Sequence, residues 1–354
     1  MDSGEIKMSI KYSVIIPTYN RIQILKRCLQ HISKITNPSE EWEILVINNN
    51  LTDNIEEVVN SYRDKLHHLR YFNEPNPGLH SGRNLGCENA NGEILCYLDD
   101  DSFVSKQWLK GIEKAFADPE VVLVGGLYLP EYESEAPRWV NEFWTDTEWG
   151  KCLGILSLLD FGEEVKTILP YYVYGCNFNI RKDILLKLGG FHPDAMPKEL
   201  IRFRGDGESA VSRKIEELGY KTLYHPYVKI YHLVPASRMT IDYFCWRSYL
   251  QGISDSFAKI RKGQGLYREA EAEAEEKNLP IPRKVVKIIQ KKLQDVKNRI
   301  FDVEPKEIRE IRGKIRKSWE DGFAFHQKEV KNDPKLLEWV LRKNYLGENG
   351  KLPE

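Results

Sequence analysis

The sequence predicts an α/β fold: a doubly wound, mostly parallel sheet, then a mixed half, then an α-helical C-terminal extension. Three observations carry this. Short β-branched strands alternate with amphipathic helices over about the first 130 residues, the pattern of βαβ units around a parallel sheet. One apolar run, Ile94 to Leu98, stops abruptly at three consecutive carboxylates, Asp99, Asp100 and Asp101. Open α/β sheets hold their ligands beyond such strand ends. Past about residue 240 the apolar positions recur in long helical stripes.

Taken in order, Tyr12 to Ile16 reads as a strand halted by Pro17-Thr18-Tyr19-Asn20. Asn20 is the expected N-cap of a helix carrying Ile22, Leu25, Leu29 and Ile32. Glu43 to Ile47 is a second strand, running into the polar turn Asn48 to Asp53, and a helix with Ile55, Val58 and Val59 follows. Leu69 to Phe72 is a third strand. The turn at Asn76-Pro77-Gly78 then opens a helix through Arg83 and Asn84. The acid-tipped strand comes next, then a helix with Trp108, Leu109, Ile112 and Phe116, then a strand from Val121 to Val124. Residues 1–130 therefore form a nucleotide-binding half of the doubly wound kind.

Residues 131–240 form a second, mixed half. Trp139, Phe143, Trp144 and Trp149 fall in a stretch without a clean period, which suits either a cleft lining or a satellite core. Tyr174 to Ile180 reads as a strand, followed by a helix that stops at Gly189-Gly190. The loop Arg204-Gly205-Asp206-Gly207-Glu208 opens another helix, and Leu223 to His232 is extended. In the 241–354 region one stripe runs through Val285, Ile289, Leu293, Val296 and Ile300, flanked by Lys284, Lys287, Lys291 and Lys292. Another runs through Ile308, Ile311, Ile315 and Trp319. Such stripes bury against the protein body, or lay a basic face on an anionic membrane surface.

The totals bound the function. At 354 residues, 41% hydrophobic and 30% charged, the composition is ordinary for a soluble globular protein. A net charge of −1 argues against nucleic-acid binding through bulk charge. No apolar run approaches the ~20 residues of a bilayer span, and Met1 to Ile10 lacks the apolar core of a secretory signal. The six cysteines show no CxxC pair, as expected of reduced thiols in the cytoplasm. Three adjacent acids repel one another, and a divalent cation relieves that repulsion. Carboxylates suit Mg²⁺ or Mn²⁺.

The ordered set Val14 to Arg21, the strand ending at Asn48, Gly78 to Gly86, Asp99 to Asp101, Gly189-Gly190-Phe191 and the acidic turn at 206–208 resembles the family-2 glycosyltransferases. The likeness covers roughly residues 10 to 250. It implies a GT-A fold over residues 1–240 and a metal-dependent, inverting sugar transfer. The donor it implies is a nucleotide sugar, UDP first. The acceptor is a hydroxyl on a glycan, a lipid-linked glycan or a small molecule, as in polysaccharide biosynthesis. By the same resemblance Asp101 is the chief ligand of Mn²⁺ or Mg²⁺, with Asp99 and His232 beside it. Pro17, Thr18, Tyr19, Arg21, Asn48, Gly78, Arg83, Asp99 and Asp100 fall where the family holds the nucleotide and donor. The family turn begins with Asp where this chain has Asn48, which leaves the base open. The family's Glu-Asp pair falls on Gly207 and Glu208, making Glu208 the general base and Asp206 the alternative. Asp206 is also able to cap the following helix. Arg238 has the planar fork to meet a diphosphate.

The expected location is cytoplasmic, including the inner membrane face, and an oligomer is compatible. Nucleotidyl transfer would want a Gly-rich basic loop after the first strand, and Pro17 to Arg21 is not one. A catalytically degenerate sugar- or partner-binding protein on the same scaffold is the other alternative.

Overall fold

The computed structural model describes residues 10–49, 54–268 and 305–353. The Asn50 to Asp53 end of the polar turn and the Val285 to Ile300 stripe lie outside them.

The first half is built as the periodicity dictates. β1 (Tyr12–Thr18), β2 (Trp42–Asn48) and β3 (Leu69–Asn73) run parallel, and β4 (Ile94–Leu98) joins the other side of β1. Residues 12–18, 43–48 and 94–98 are buried on both faces, hence continuous apolar runs rather than alternation. Helices α1 (Ile22–Ile32), α2 (Ile55–Asn60) and α3 (Leu79–Asn89) cross between these strands. Asn20 does not cap α1. It sits at φ 53°, and Arg21 precedes the helix without a side-chain cap.

The second half is mixed. After β5 (Ser102–Val104) and α4 (Trp108–Phe116), strand β6 continues from Val121 to Tyr132, well past the Val124 read from the sequence. The short strands β7 (Thr145–Asp146), β8 (Lys151–Leu153), β9 (Leu158–Asp160) and β10 (Lys166–Thr167) follow. β11 (Asn177–Arg181) lies antiparallel between β4 and β6, and α5 (Lys182–Leu188) ends at Gly189 in the left-handed region. α6 (Glu208–Glu217) leads to β12 (Lys221–Val234), which pairs parallel with β6 and antiparallel with β5.

The tryptophans of the irregular segment are half-buried and pack against core clusters. Trp139 and Phe143 pack edge-on against Phe244, and Trp149 packs against Tyr172. Phe244 belongs to α7 (Ile241–Gly263), which crosses α8 (Lys306–Asn332) where Gly252 meets the Trp319 backbone and Gly322 meets that of Tyr249. In α8, Ile308 and Ile311 are buried. After α9 (Pro334–Val340), the Tyr345 carbonyl accepts from Asn84, which also donates to the Phe191 carbonyl. Asn84 thus ties α3 to two loops. Among the described residues no helix is long and apolar enough to cross a membrane, and all six cysteines are free.

Candidate active site

Strand register brings the site together. The β1–β4 pairing sets Ile15 opposite Tyr97. At the carboxyl ends of the same two strands the Thr18 hydroxyl donates to Asp100 Oδ2 at 2.7 Å. Arg21, at the entry to α1, lies 2.6 Å from Asp100 Oδ1 and donates to Asp101 Oδ2 at 2.9 Å. From the other side β5 pairs with β12, setting His232 opposite Ser102, next to Asp101. His232 Nδ1 lies 3.0 Å from the Leu156 carbonyl, so Nδ1 carries the proton. Nε2 then faces Asp101 Oδ1 at 3.5 Å. Arg238 donates to Asp101 Oδ2 at 2.9 Å.

The three acids differ sharply. Burial raises Asp99 against the pull of Arg83, and pushes Asp100 up to about 7 against the pull of Arg21. Burial acts on Asp101 too, but His232, Arg21 and Arg238 overcome it and hold that carboxyl well below the usual range. Asp101 is therefore the firmly anionic member of the block.

Two adjoining hollows open here. A cleft of about 560 Å³ is lined by Pro17, Thr18, Tyr19, Arg21 and Gly78 among others, a size suited to a small-molecule ligand. Asn49, not Asn48, is on its wall. Successive strand side chains point to opposite faces, and Asn48 is turned inward with its amide donating to the Tyr71 hydroxyl. The Asn49 amide nitrogen donates to the Glu74 and Asn76 carbonyls, so its oxygen is the group left to accept a hydrogen bond.

A second pocket of about 230 Å³ shares Arg21, Leu79 and Ala195 with the cleft and is lined by Asp99, Asp101, His232, Arg83 and Glu208 among others. Arg83 is buried and links two of these, standing 3.0 Å from Asp99 and 3.4 Å from Glu208. Glu208 opens α6, and its Oε1 accepts from the Gly175 N–H at 3.2 Å. Gly175 allows the approach, since a Cβ there would stand 2.5 Å from Arg83 Nη2.

Asp206 is not brought to this pocket and does not cap α6. It turns into the protein, paired with His192 Nδ1 at 2.7 Å and accepting from Tyr267 at 2.8 Å. Between the two acids, Gly207 adopts φ 53°, ψ −130°, a conformation open to glycine but strained for any side chain. A carboxylate residue at position 207 would therefore need a different loop. Asn49, Gly175, Asp194 and Arg247 line or shape the site without having been legible in sequence. Their signal is contact between segments distant along the chain.

As to metal, among the described residues no three His, Cys, Asp or Glu side chains gather closely enough to hold an ion alone. Asp101 Oδ1 and His232 Nε2 converge with the His tautomer set by a backbone carbonyl, a usual arrangement for a metal-ligating histidine. Mg²⁺-type cations commonly take one or two protein ligands and complete their shell with phosphate and water. The residues present thus suit an open site.

Residues 13–189 match the family described as Glycosyl transferase family 2. The chain is 22% identical over 248 residues to a glucosyl-dolichyl phosphate glucuronosyltransferase of Haloferax volcanii, covering 69% of this chain and 76% of that protein. It is 34% identical over 109 residues to a validoxylamine A glucosyltransferase of Streptomyces hygroscopicus subsp. jinggangensis, covering 30% of this chain and about a quarter (26%) of the relative. In structure it is similar to a mannosyltransferase from Pyrobaculum calidifontis solved with GDP-Man and Mn²⁺. That match has a TM-score of 0.50 and 20% identity over 72% of this chain and 64% of the other. The parallel half with its acid-tipped strand and mixed second half is the GT-A fold, and the chain belongs to glycosyl transferase family 2.

Proposed function

We propose that this protein is a metal-dependent, inverting glycosyltransferase that moves a sugar from a UDP-sugar to an acceptor hydroxyl on a glycan, lipid-linked glycan or small molecule. The observation that carries this is the single pocket shared by Glu208, Asp101 and His232, opening onto the cleft at Thr18 to Arg21. A carboxylate base, an anionic cation-holding pair and a nucleotide-sized cleft are the three parts that such a transfer needs.

In this reading residues 1–130 are the nucleotide half, 131–240 the acceptor side, and the 241–354 region lends one pocket wall through α7. Pro17, Thr18, Tyr19, Arg21 and Gly78 hold the nucleotide. The Asn49 oxygen takes the base N–H, as uracil N3–H supplies. Arg83 holds Asp99 toward the donor sugar, and Asp100 fixes Thr18 and Arg21 from beneath. Asp101 and His232 would hold Mn²⁺ or Mg²⁺, which neutralises the leaving diphosphate when bound. Arg21 and Arg238 are placed to accompany that charge. Glu208, steadied by the Gly175 N–H and Arg83, takes the proton from the acceptor hydroxyl. The mannosyltransferase solved with GDP-Man and Mn²⁺ supports a nucleotide sugar and a divalent ion.

Calorimetric titration of UDP, GDP and dTDP, each with and without Mn²⁺, tests the donor half. Metal-dependent binding of UDP that vanishes in Asp101→Ala is the expected result. Failure of every nucleotide to bind would leave a sugar- or partner-binding protein on the same scaffold.

A further inference from the structure

The wall that α7 gives to the pocket carries a charge without a partner among the described residues. Tyr243 and Arg247 stand one turn apart on one face of α7 and both line the pocket, while Phe244 and Leu250 point into the core. The other arginines around the site are each matched. Arg21 pairs with Asp100 and Asp101, Arg83 with Asp99 and Glu208, Arg204 with Asp194, and Arg238 with Asp101. Among the described residues Arg247 makes no ion pair and donates no hydrogen bond.

Its position within the pocket is informative. Asp194 lines the pocket with it and is itself paired with Arg204. Asp194 backs the turn before Glu208, where a Cβ on Gly207 would come within 3.0 Å of its carboxylate. Arg247 shares the pocket lining with Asp194 and Glu208, while Arg21 and Arg238 pair with Asp101. A half-buried guanidinium gains most from an oxyanion that engages its planar fork.

We propose that Arg247 reads an oxyanion on the acceptor, a phosphate or a sugar carboxylate close to the hydroxyl that Glu208 deprotonates. The proposal rests on Glu208 being the base and deepens that reading by giving the acceptor a charge. Asp194 and Glu208, both in the pocket, make a diffuse cationic attraction insufficient by itself. The ligand must meet Arg247 directly.

The test is calorimetry on the full chain saturated with UDP and Mn²⁺, so that the diphosphate position is filled. Glucose 1-phosphate, glucuronate and methyl glucoside are then titrated. The anions are expected to bind and the neutral glycoside to bind more weakly. In Arg247→Gln anion binding is expected to fall about 10- to 100-fold, the loss of a charge-assisted hydrogen-bonded pair. Arg247→Lys is expected to restore part of it, and the tighter of the two anions names the source. Anions binding no better than methyl glucoside, or equally well to Arg247→Gln, would overturn the proposal. So would loss of UDP rather than of the anion in that variant, because the arginine would then serve the donor. If wild-type protein fails to bind UDP, the underlying function falls. Normal UDP binding with indifference to anions sinks this proposal alone.

Discussion

Replacing Glu208 by Gln and Asp206 by Asn separates the two acids of one turn by different observables. Glutamine preserves the shape of Glu208 and its amide oxygen can still accept from the Gly175 N–H, now 3.2 Å from Glu208 Oε1. Arg83 keeps Asp99 at 3.0 Å, so the fold and the donor side should persist. The missing base should lower kcat by about 10²- to 10⁴-fold, which is about 3–5 kcal/mol of barrier. UDP affinity should stay within about threefold, since uniform binding is untouched. Asp206→Asn acts elsewhere. It puts an amide against His192 and Tyr267 in a buried site where both now donate to the carboxylate. Breaking such a buried, charge-assisted set costs about 3–5 kcal/mol of stability, or a Tm drop on the order of 10 °C. Sugar transfer to acceptor in steady state, scaled to folded protein, together with thermal melts, reads both. Near-normal kcat in Glu208→Gln with a collapse in well-folded Asp206→Asn would refute the assignment of the base.

Three further outcomes follow from named contacts. Gly175→Ala should leave the fold intact but displace Arg83, because the new Cβ would stand 2.5 Å from its guanidinium; kcat should fall by about tenfold or more, and unchanged kinetics would show that Arg83 does not position Glu208. Asn49→Asp should weaken UDP by about tenfold in the nucleotide titration, because it loses both amide donations to Glu74 and Asn76. Stability should fall on acidification between pH about 6.5 and about 4, because burial lowers His80, His192 and His326 to about 4 from 6.5. In that window the unfolded chain binds protons that the native protein refuses, so each such histidine favours folding above it and the advantage is lost as pH falls through it. A flat Tm from pH 7 to 5 would contradict this.

Much of the fold was legible because it follows from local pattern. The continuous apolar runs of β1, β2 and β4 mark strands buried on both faces, and the helical spacing of Ile22, Leu25, Leu29 and Ile32 marks α1. Less was legible where pattern is silent. The extension of β6 to Tyr132 passes through Gly125, Gly126 and Pro130, residues that usually interrupt a strand. Pairing with β12, which itself shifts register between His225 and Ile230, holds it together. The sequence around residue 140 suits a cleft or a satellite core equally, and it is Phe244 on α7, distant along the chain, that packs against Trp139.

The sequence by itself determined the parallel half, the placing of Asp99 to Asp101 at a strand end, and the turn at Pro17 to Arg21 that ends the first strand. These depend on the short-range geometry of the chain, which periodicity and strand-ending residues encode directly. Only the tertiary structure decided that His232 meets Asp101 through the β5–β12 pairing, and that Asn49 faces the cleft while Asn48 turns inward. It also decided that Asp206 is taken by His192 and Tyr267, and that Arg247 faces the pocket with no ion pair among the described residues. Each of these depends on which distant segments lie side by side, and a one-residue change of register would send every such side chain to the opposite face.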